Sequence, residues 1–114
     1  MRSRNPIKNR TMNNNLSAQV YMKTHNINGK FIITLCDKEL FENMNMRNKL
    51  KLNTNYFGGE IVDVDFALDN IKIGDFVTLV GPTVVKQALR RGLIKKRAII
   101  HIAKNIEYAE VYNL

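Results

Sequence analysis

The chain has 114 residues, with 18 Lys plus Arg against 10 Asp plus Glu, a formal net charge of +8. That length supports one core rather than two, and an apolar fraction of 45% excludes wholesale disorder. The sequence has no apolar run long enough to span a membrane and no apolar stretch behind the basic opening that would make it a secretory signal. Its lone Cys36 cannot form a disulfide framework or a cysteine-based zinc cluster.

Charge is unevenly spread along the chain. Residues 1–10 carry Arg2, Arg4, Lys8 and Arg10 with no acid, and the segment 86–97 carries Lys86, Arg90, Arg91, Lys95, Lys96 and Arg97, also with none. Between them, Glu60, Asp63, Asp65, Asp69 and Asp75 stand against Lys72 alone. Residues 1–16 are Asn-rich and nearly without apolar anchors, so they read as an extension that only a partner would order; Met12 offers an alternative start. The domain is expected over 17–114.

Within it, Val20–Thr24 and Phe31–Cys36 flank Asn28-Gly29, residues that accept positive φ, and form an expected β-hairpin. Phe31, Ile32, Ile33 and Leu35 make the second strand apolar on both faces, which predicts a central position. Asp37 is placed to cap a short helical turn through Phe41 and Met44. Leu50–Leu52 reads as another short strand, followed by a loop to Gly59. The spacing of Val62, Phe66, Ala67 and Ile71 predicts a helix, capped by Asp63 or Asp65. Phe76–Val80 is a compact strand or the beginning of the next helix. Gly81-Pro82-Thr83 announces a helix with proline in its first turn, Val84, Val85, Ala88 and Leu89 as its buried stripe and Gly92 as its left-handed stop. Ala98–Ile102 and Ile106–Tyr112 are the last strands. The fold class is α+β, a single domain with a mixed sheet packed by two or three helices.

The order of Cys36-Asp37, Leu50-Lys51-Leu52, Tyr56-Phe57-Gly58-Gly59-Glu60-Ile61-Val62, Leu79-Val80-Gly81, Val84-Val85, Ala88 and Gly92-Leu93 resembles an archaeal family known as domain of unknown function 424. The resemblance spans about residues 18–112. It implies a small RNA-binding protein and supplies no catalytic residue. One departure is in the final strand, where the family often carries a Pro-His-Ala segment and this chain has Glu107-Tyr108-Ala109.

Chemistry concentrates in the helix expected at 82–91. Lys86 and Arg90, four residues apart, share one face opposite the apolar stripe, and Arg91, Lys95, Lys96 and Arg97 continue the charge into the next strand. Six cations uninterrupted by an acid suit a nucleic-acid backbone. Tyr56, beside two glycines, is a candidate for base stacking, although Phe57 is better read as core and the glycines as a turn. Glu60, Asp63 and Asp65 have a spacing a magnesium ion can use, but helix capping and the helix dipole explain acids there more simply. His25 and His101 stand without ligand-spaced partners, and Cys36 lacks an activating neighbour apart from Lys38. Ser3 and Ser17 are the only serines, and there is no phosphate loop, dinucleotide fingerprint or serine elbow. The expectation is a non-enzymatic cytoplasmic protein without metal, cofactor or small-molecule substrate. Its expected partners are RNA, most simply ribosomal RNA, and neighbouring ribosomal proteins. Two other readings stand beside it: an adaptor whose sheet edge or acidic patch binds a translation factor, and a metal-dependent RNA-processing enzyme using Glu60, Asp63 and Asp65.

Overall fold

A computed structural model describes residues 18–47, 56–103 and 106–113. The basic extension, with Arg2, Arg4, Lys8 and Arg10, and the strand expected at Leu50–Leu52 lie outside the described residues.

Asn28 and Gly29 take φ values of 52° and 79°, and the chain reverses there. The result is a hairpin of β1 (Gln19–Ile27) and β2 (Lys30–Asp37), in register from Val20 opposite Asp37 to Ile27 opposite Lys30. β2 also pairs in parallel with β4 (Phe76–Val80), so it is central, as its two-sided apolarity predicts. β6 (Ile106–Tyr112) lies antiparallel to β4, and β5 (Ile100–Ala103) pairs with β6 at one edge. β3 (Glu60–Asp63) pairs with β1 at the other edge. The sheet is mixed and six-stranded, in the order β3-β1-β2-β4-β6-β5.

Three helices accompany it: α1 (Lys38–Arg47), α2 (Val64–Asp69) and α3 (Pro82–Arg90). Side chains alternate across a strand, and here the alternation sorts two cores. Ile33, Leu35, Val77, Leu79 and Ala109 turn to one face, where they pack with α2 and α3. Cys36 and Val80 turn to the other, beneath Leu40, Phe41 and Met44 of α1.

Three expectations need correction. The helix expected from Val62 is shorter than its apolar spacing suggests. Val62 is drawn into β3 opposite Val20, the helix begins at Val64, and Ile71–Ile73 form a separate 3-10 turn. Phe66 is therefore 55% exposed instead of buried. Asp63 does occupy the N-cap position of α2 but makes no side-chain cap bond. Asp37 does not cap α1, because both of its carboxylate oxygens are taken by α3. Thr83 N–H donates to Oδ2 at 2.8 Å and Val84 N–H to Oδ1 at 2.9 Å.

That last arrangement explains the start of α3. Its N-cap residue, Gly81, has no side chain to offer its first amides, and Pro82 follows as expected. Asp37, 46 positions earlier, supplies the cap. Gly81 must be glycine twice over: its φ is 118°, and a Cβ would collide with the Asp37 carboxyl group. At the other end, Gly92 at φ 74° lets Leu93 N–H reach the Ala88 carbonyl and its own N–H reach Leu89. That is the paired bonding of a Schellman stop.

Candidate functional site

Helix α3 presents Lys86 and Arg90 to solvent because Val84, Val85 and Ala88 face the sheet. After the Gly92 stop the chain passes Ile94, which is buried, and then exposes Lys95, Lys96 and Arg97 around a 3-10 turn. Among the described residues, none of these five cations has an acidic partner within ion-pair distance.

Arg91 differs, and the reading of six unbalanced cations is corrected at this position. Its guanidinium reaches across to α2, with Nη1 2.6 Å from Asp69 Oδ1 and Nη2 2.9 Å from Asp65 Oδ1. The two carboxylates, Asp69 foremost, push its pKa further up. Arg91 ties α3 to α2. Asp65 is accordingly committed to a cation, Glu60 lines a groove at the far edge, and Asp63 is exposed on β3. Among the described residues, no three His, Cys, Asp or Glu side chains converge to hold a metal.

The second face of the sheet collects the tyrosines. Tyr21, Tyr108 and Tyr112 all point there, and the Tyr56 ring lies over His25, with centroids 4.9 Å apart and planes at 16°. His25, read from the sequence as standing without a partner, also meets the Tyr56 carbonyl through Nε2 at 2.8 Å, and Thr34 Oγ1 donates to the same carbonyl at 2.8 Å. Tyr56 touches the Phe57 edge at 5.1 Å, and Phe57 packs on the second core. The ring singled out for stacking is therefore already engaged. His101, on the edge strand, sits 3.2 Å from Glu107.

Beyond Tyr56 lies a row that the sequence reading did not single out. Strand registers place His25, Ile32, Phe76 and Tyr112 side by side on this face. Phe76 and Tyr112 have ring centroids 4.8 Å apart, and Tyr112 is 62% exposed. Glu110, one row in, accepts from the hydroxyls of both Tyr112 (2.7 Å) and Tyr108. Burial and then the Glu110 carboxylate push the Tyr108 phenol up, while Glu110 leads the same shift at Tyr112. The alternation Tyr108-Ala109-Glu110-Val111-Tyr112 carries the signal: in a strand it puts both tyrosines and the glutamate on one side.

Cys36 is fully buried, and burial followed by the adjacent Asp37 pushes its thiol up to about 12. It remains a thiol at neutral pH, inert as a nucleophile. Burial also pushes the Asp37 carboxyl up, while the Thr83 and Val84 amides restrain the rise. No described helix is long and apolar enough to cross a membrane.

A search of curated proteins finds no match. The fold is similar to the crystal structure of an uncharacterized conserved protein from Methanopyrus kandleri, at a TM-score of 0.63 and 18% identity, covering 85% of this chain and 93% of that one. A family profile described as protein of unknown function (DUF424) matches residues 25–114, from the end of β1 through all the remaining elements, and the chain belongs to that family.

Proposed function

We propose that the chain is a non-enzymatic RNA-binding protein, ribosomal or ribosome-associated, acting in the cytoplasm through its cationic helix and the turn that follows it. One observation carries this reading: Lys86, Arg90, Lys95, Lys96 and Arg97 are all exposed and lack acidic partners among the described residues, whereas Arg91, beside them in sequence, is neutralised. Exposed ion pairs are a normal outcome where acids are at hand. Five cations left without one form a concentrated field for phosphates, which release counterions as they bind. Arg2, Arg4, Lys8 and Arg10 of the N-terminal extension are four further cations in the sequence that phosphates could engage. The acidic surface around α2 would then meet protein neighbours. Titrating a ribosomal RNA fragment across salt tests it: five phosphate contacts give a slope of log K against log salt of about −4. A flat response overturns the reading.

A second reading, an adaptor for a translation factor, is favoured by one feature. Met22, Phe66 and Ile73 line a groove of about 460 Å³ beside Glu60 and Gly59. Phe66 and Ile73 are 55% and 64% exposed, more apolar surface than an idle loop offers. Co-sedimentation with ribosomes that survives high salt but is lost in Phe66→Asp would favour the adaptor over phosphate contact.

A further inference from the structure

We infer that the open outer edge of β1, at Thr24 and Asn26, takes up an extended segment of a partner protein as an added strand. Apolar side chains of that segment enter the groove of Met22, Phe66 and Ile73, and a basic one faces Glu60. The inference rests on the adaptor reading, which it deepens by naming the form of the partner, and is independent of the RNA reading.

β1 is longer than the strand that covers it. It runs from Gln19 to Ile27, but β3 pairs with it only from Gln19 to Met22. Traced back from Glu60, the chain leaves the edge at Gly59 and Gly58, whose φ values are 85° and 100°. It crosses to the second face of the sheet, where Tyr56 lies over His25. Gly59 is required at that departure, since a Cβ there would collide with the Met22 carbonyl.

The uncovered stretch keeps its main-chain groups aimed outward. Val64 N–H donates to the Ala18 carbonyl at 2.9 Å on the β3 side, and main-chain groups facing one neighbour recur at every second residue. Val20 and Met22 therefore face β3, while Thr24 and Asn26 face the place where β3 would continue. The hairpin agrees, because Ile27, of the opposite phase, closes onto Lys30. Thr24 and Asn26 are exposed, and among the described residues neither has a main-chain partner on that side. Two donors and two acceptors on an uncovered edge are a template for another strand.

The groove beside this edge selects the side chains of that strand. Met22 and Thr24, in register with Leu35 and Ile33, turn to the first face, where the groove opens. Its other wall holds Phe66 and Ile73, 55% and 64% exposed. An added strand sets every second side chain against these walls, and an apolar residue fits there. Glu60 lines the same groove, is exposed and has no ion pair among the described residues. Its carboxylate complements a lysine or arginine of the incoming segment.

The full chain is titrated with a fluorescein-labelled octapeptide of alternating valine and lysine, and binding is followed by anisotropy. We expect saturable binding, weakened about tenfold or more when every peptide amide is N-methylated and cannot donate. Thr24→Pro removes an outward N–H at an edge position, where proline is tolerated, and should weaken binding about tenfold. Phe66→Ala, which removes a groove wall, should cost about tenfold as well, and Glu60→Gln up to about fivefold. Circular dichroism checks the fold of each variant, and the N-methylated peptide tests the edge without altering the protein. No saturable binding by the wild type, or equal binding of the N-methylated peptide, overturns the inference. Dimerisation of the wild type that Thr24→Pro abolishes assigns the edge to a second copy and also overturns it. Ribosome co-sedimentation at high salt separates this inference from the adaptor reading. If Phe66→Asp abolishes it and Thr24→Pro does not, the adaptor stands without an added strand. If the wild type shows none but binds the octapeptide, the translation-factor adaptor falls and the strand-accepting edge stands.

Discussion

The two faces of the sheet are built from the same strands and do different work. Toward α2 and α3 the strands turn Ile33, Leu35, Val77, Leu79 and Ala109, all fully buried and all aliphatic. On the opposite face stand Tyr21, Tyr108 and Tyr112, with Tyr56 laid over His25, so every tyrosine in the chain is on that side. Aliphatic side chains need only close packing, whereas a tyrosine brings a hydroxyl that must find a partner or water. The larger of the two cores lies on the first face. The second carries carboxylate-held phenols and one exposed ring.

That contrast can be broken most sharply at Leu79. Leu79→Ala opens a cavity on the aliphatic face and should cost about 2–5 kcal/mol by urea unfolding, while Tyr112→Ala on the other face should change stability by only about 0.5 kcal/mol. Similar losses at the two positions would show that both faces carry the fold. Next in size is Asp37→Ala, which leaves the first amides of α3 without their acceptors. A cost of about 2 kcal/mol is expected.

Asp37 also sharpens the comparison through pH. Its carboxyl is raised in the folded state, chiefly by burial, so the native state takes up its proton at a higher pH than the unfolded chain does. Its contribution to stability is therefore present below the ordinary aspartate range and is lost as pH rises through the raised value. Comparing the melting temperature of Asp37→Asn with wild type through that window should show the wild type losing ground as pH rises and the variant lacking this step. A parallel profile in both proteins would refute it. The smallest effects are on the exposed cations. Lys86→Ala with Arg90→Ala should reduce the RNA salt slope by about 1.5–2, whereas Arg91→Ala, whose charge is already answered by Asp65 and Asp69, should leave it nearly unchanged. A large drop in slope from Arg91→Ala would mean that RNA displaces the two carboxylates.

What could be read from the sequence was local. Asn28-Gly29 turns a hairpin wherever it falls between apolar strands, and Pro82 and Gly92 bracket α3 through conformations those residues favour by themselves. What escaped depended on partners distant in the chain. Asp37 sits directly before a helix, so the adjacent helix was its natural assignment; the true one starts beyond Gly81, where no side chain exists to do the capping. Arg91 looks like its neighbours until α2 is folded against α3, when acids 22 and 26 positions away come within reach. For the Phe76–Tyr112 pair the difficulty was different. Tyr112 and Phe76 are adjacent only through the antiparallel register of β4 and β6, although the alternation around Tyr112 already implied its face.

The parallel pairing of β2 with β4 has a kinetic consequence. The hairpin β1–β2 closes over two turn residues, but β2 and β4 join across a long excursion. It is latched at one end by Asp75, whose carboxylate accepts from Phe31 N–H 44 positions away, and at the other by the Asp37 cap on α3. Closing so long a loop spends chain entropy before any contact repays it. The hairpin should therefore form early, and the rate-limiting step of folding should be the docking of β4 beside it. Substitutions at the two latches would then differ from those in the hairpin turn: Gly29→Ala should slow folding, whereas loss of the Asp37 latch should chiefly accelerate unfolding, a division that chevron analysis of the two variants would reveal.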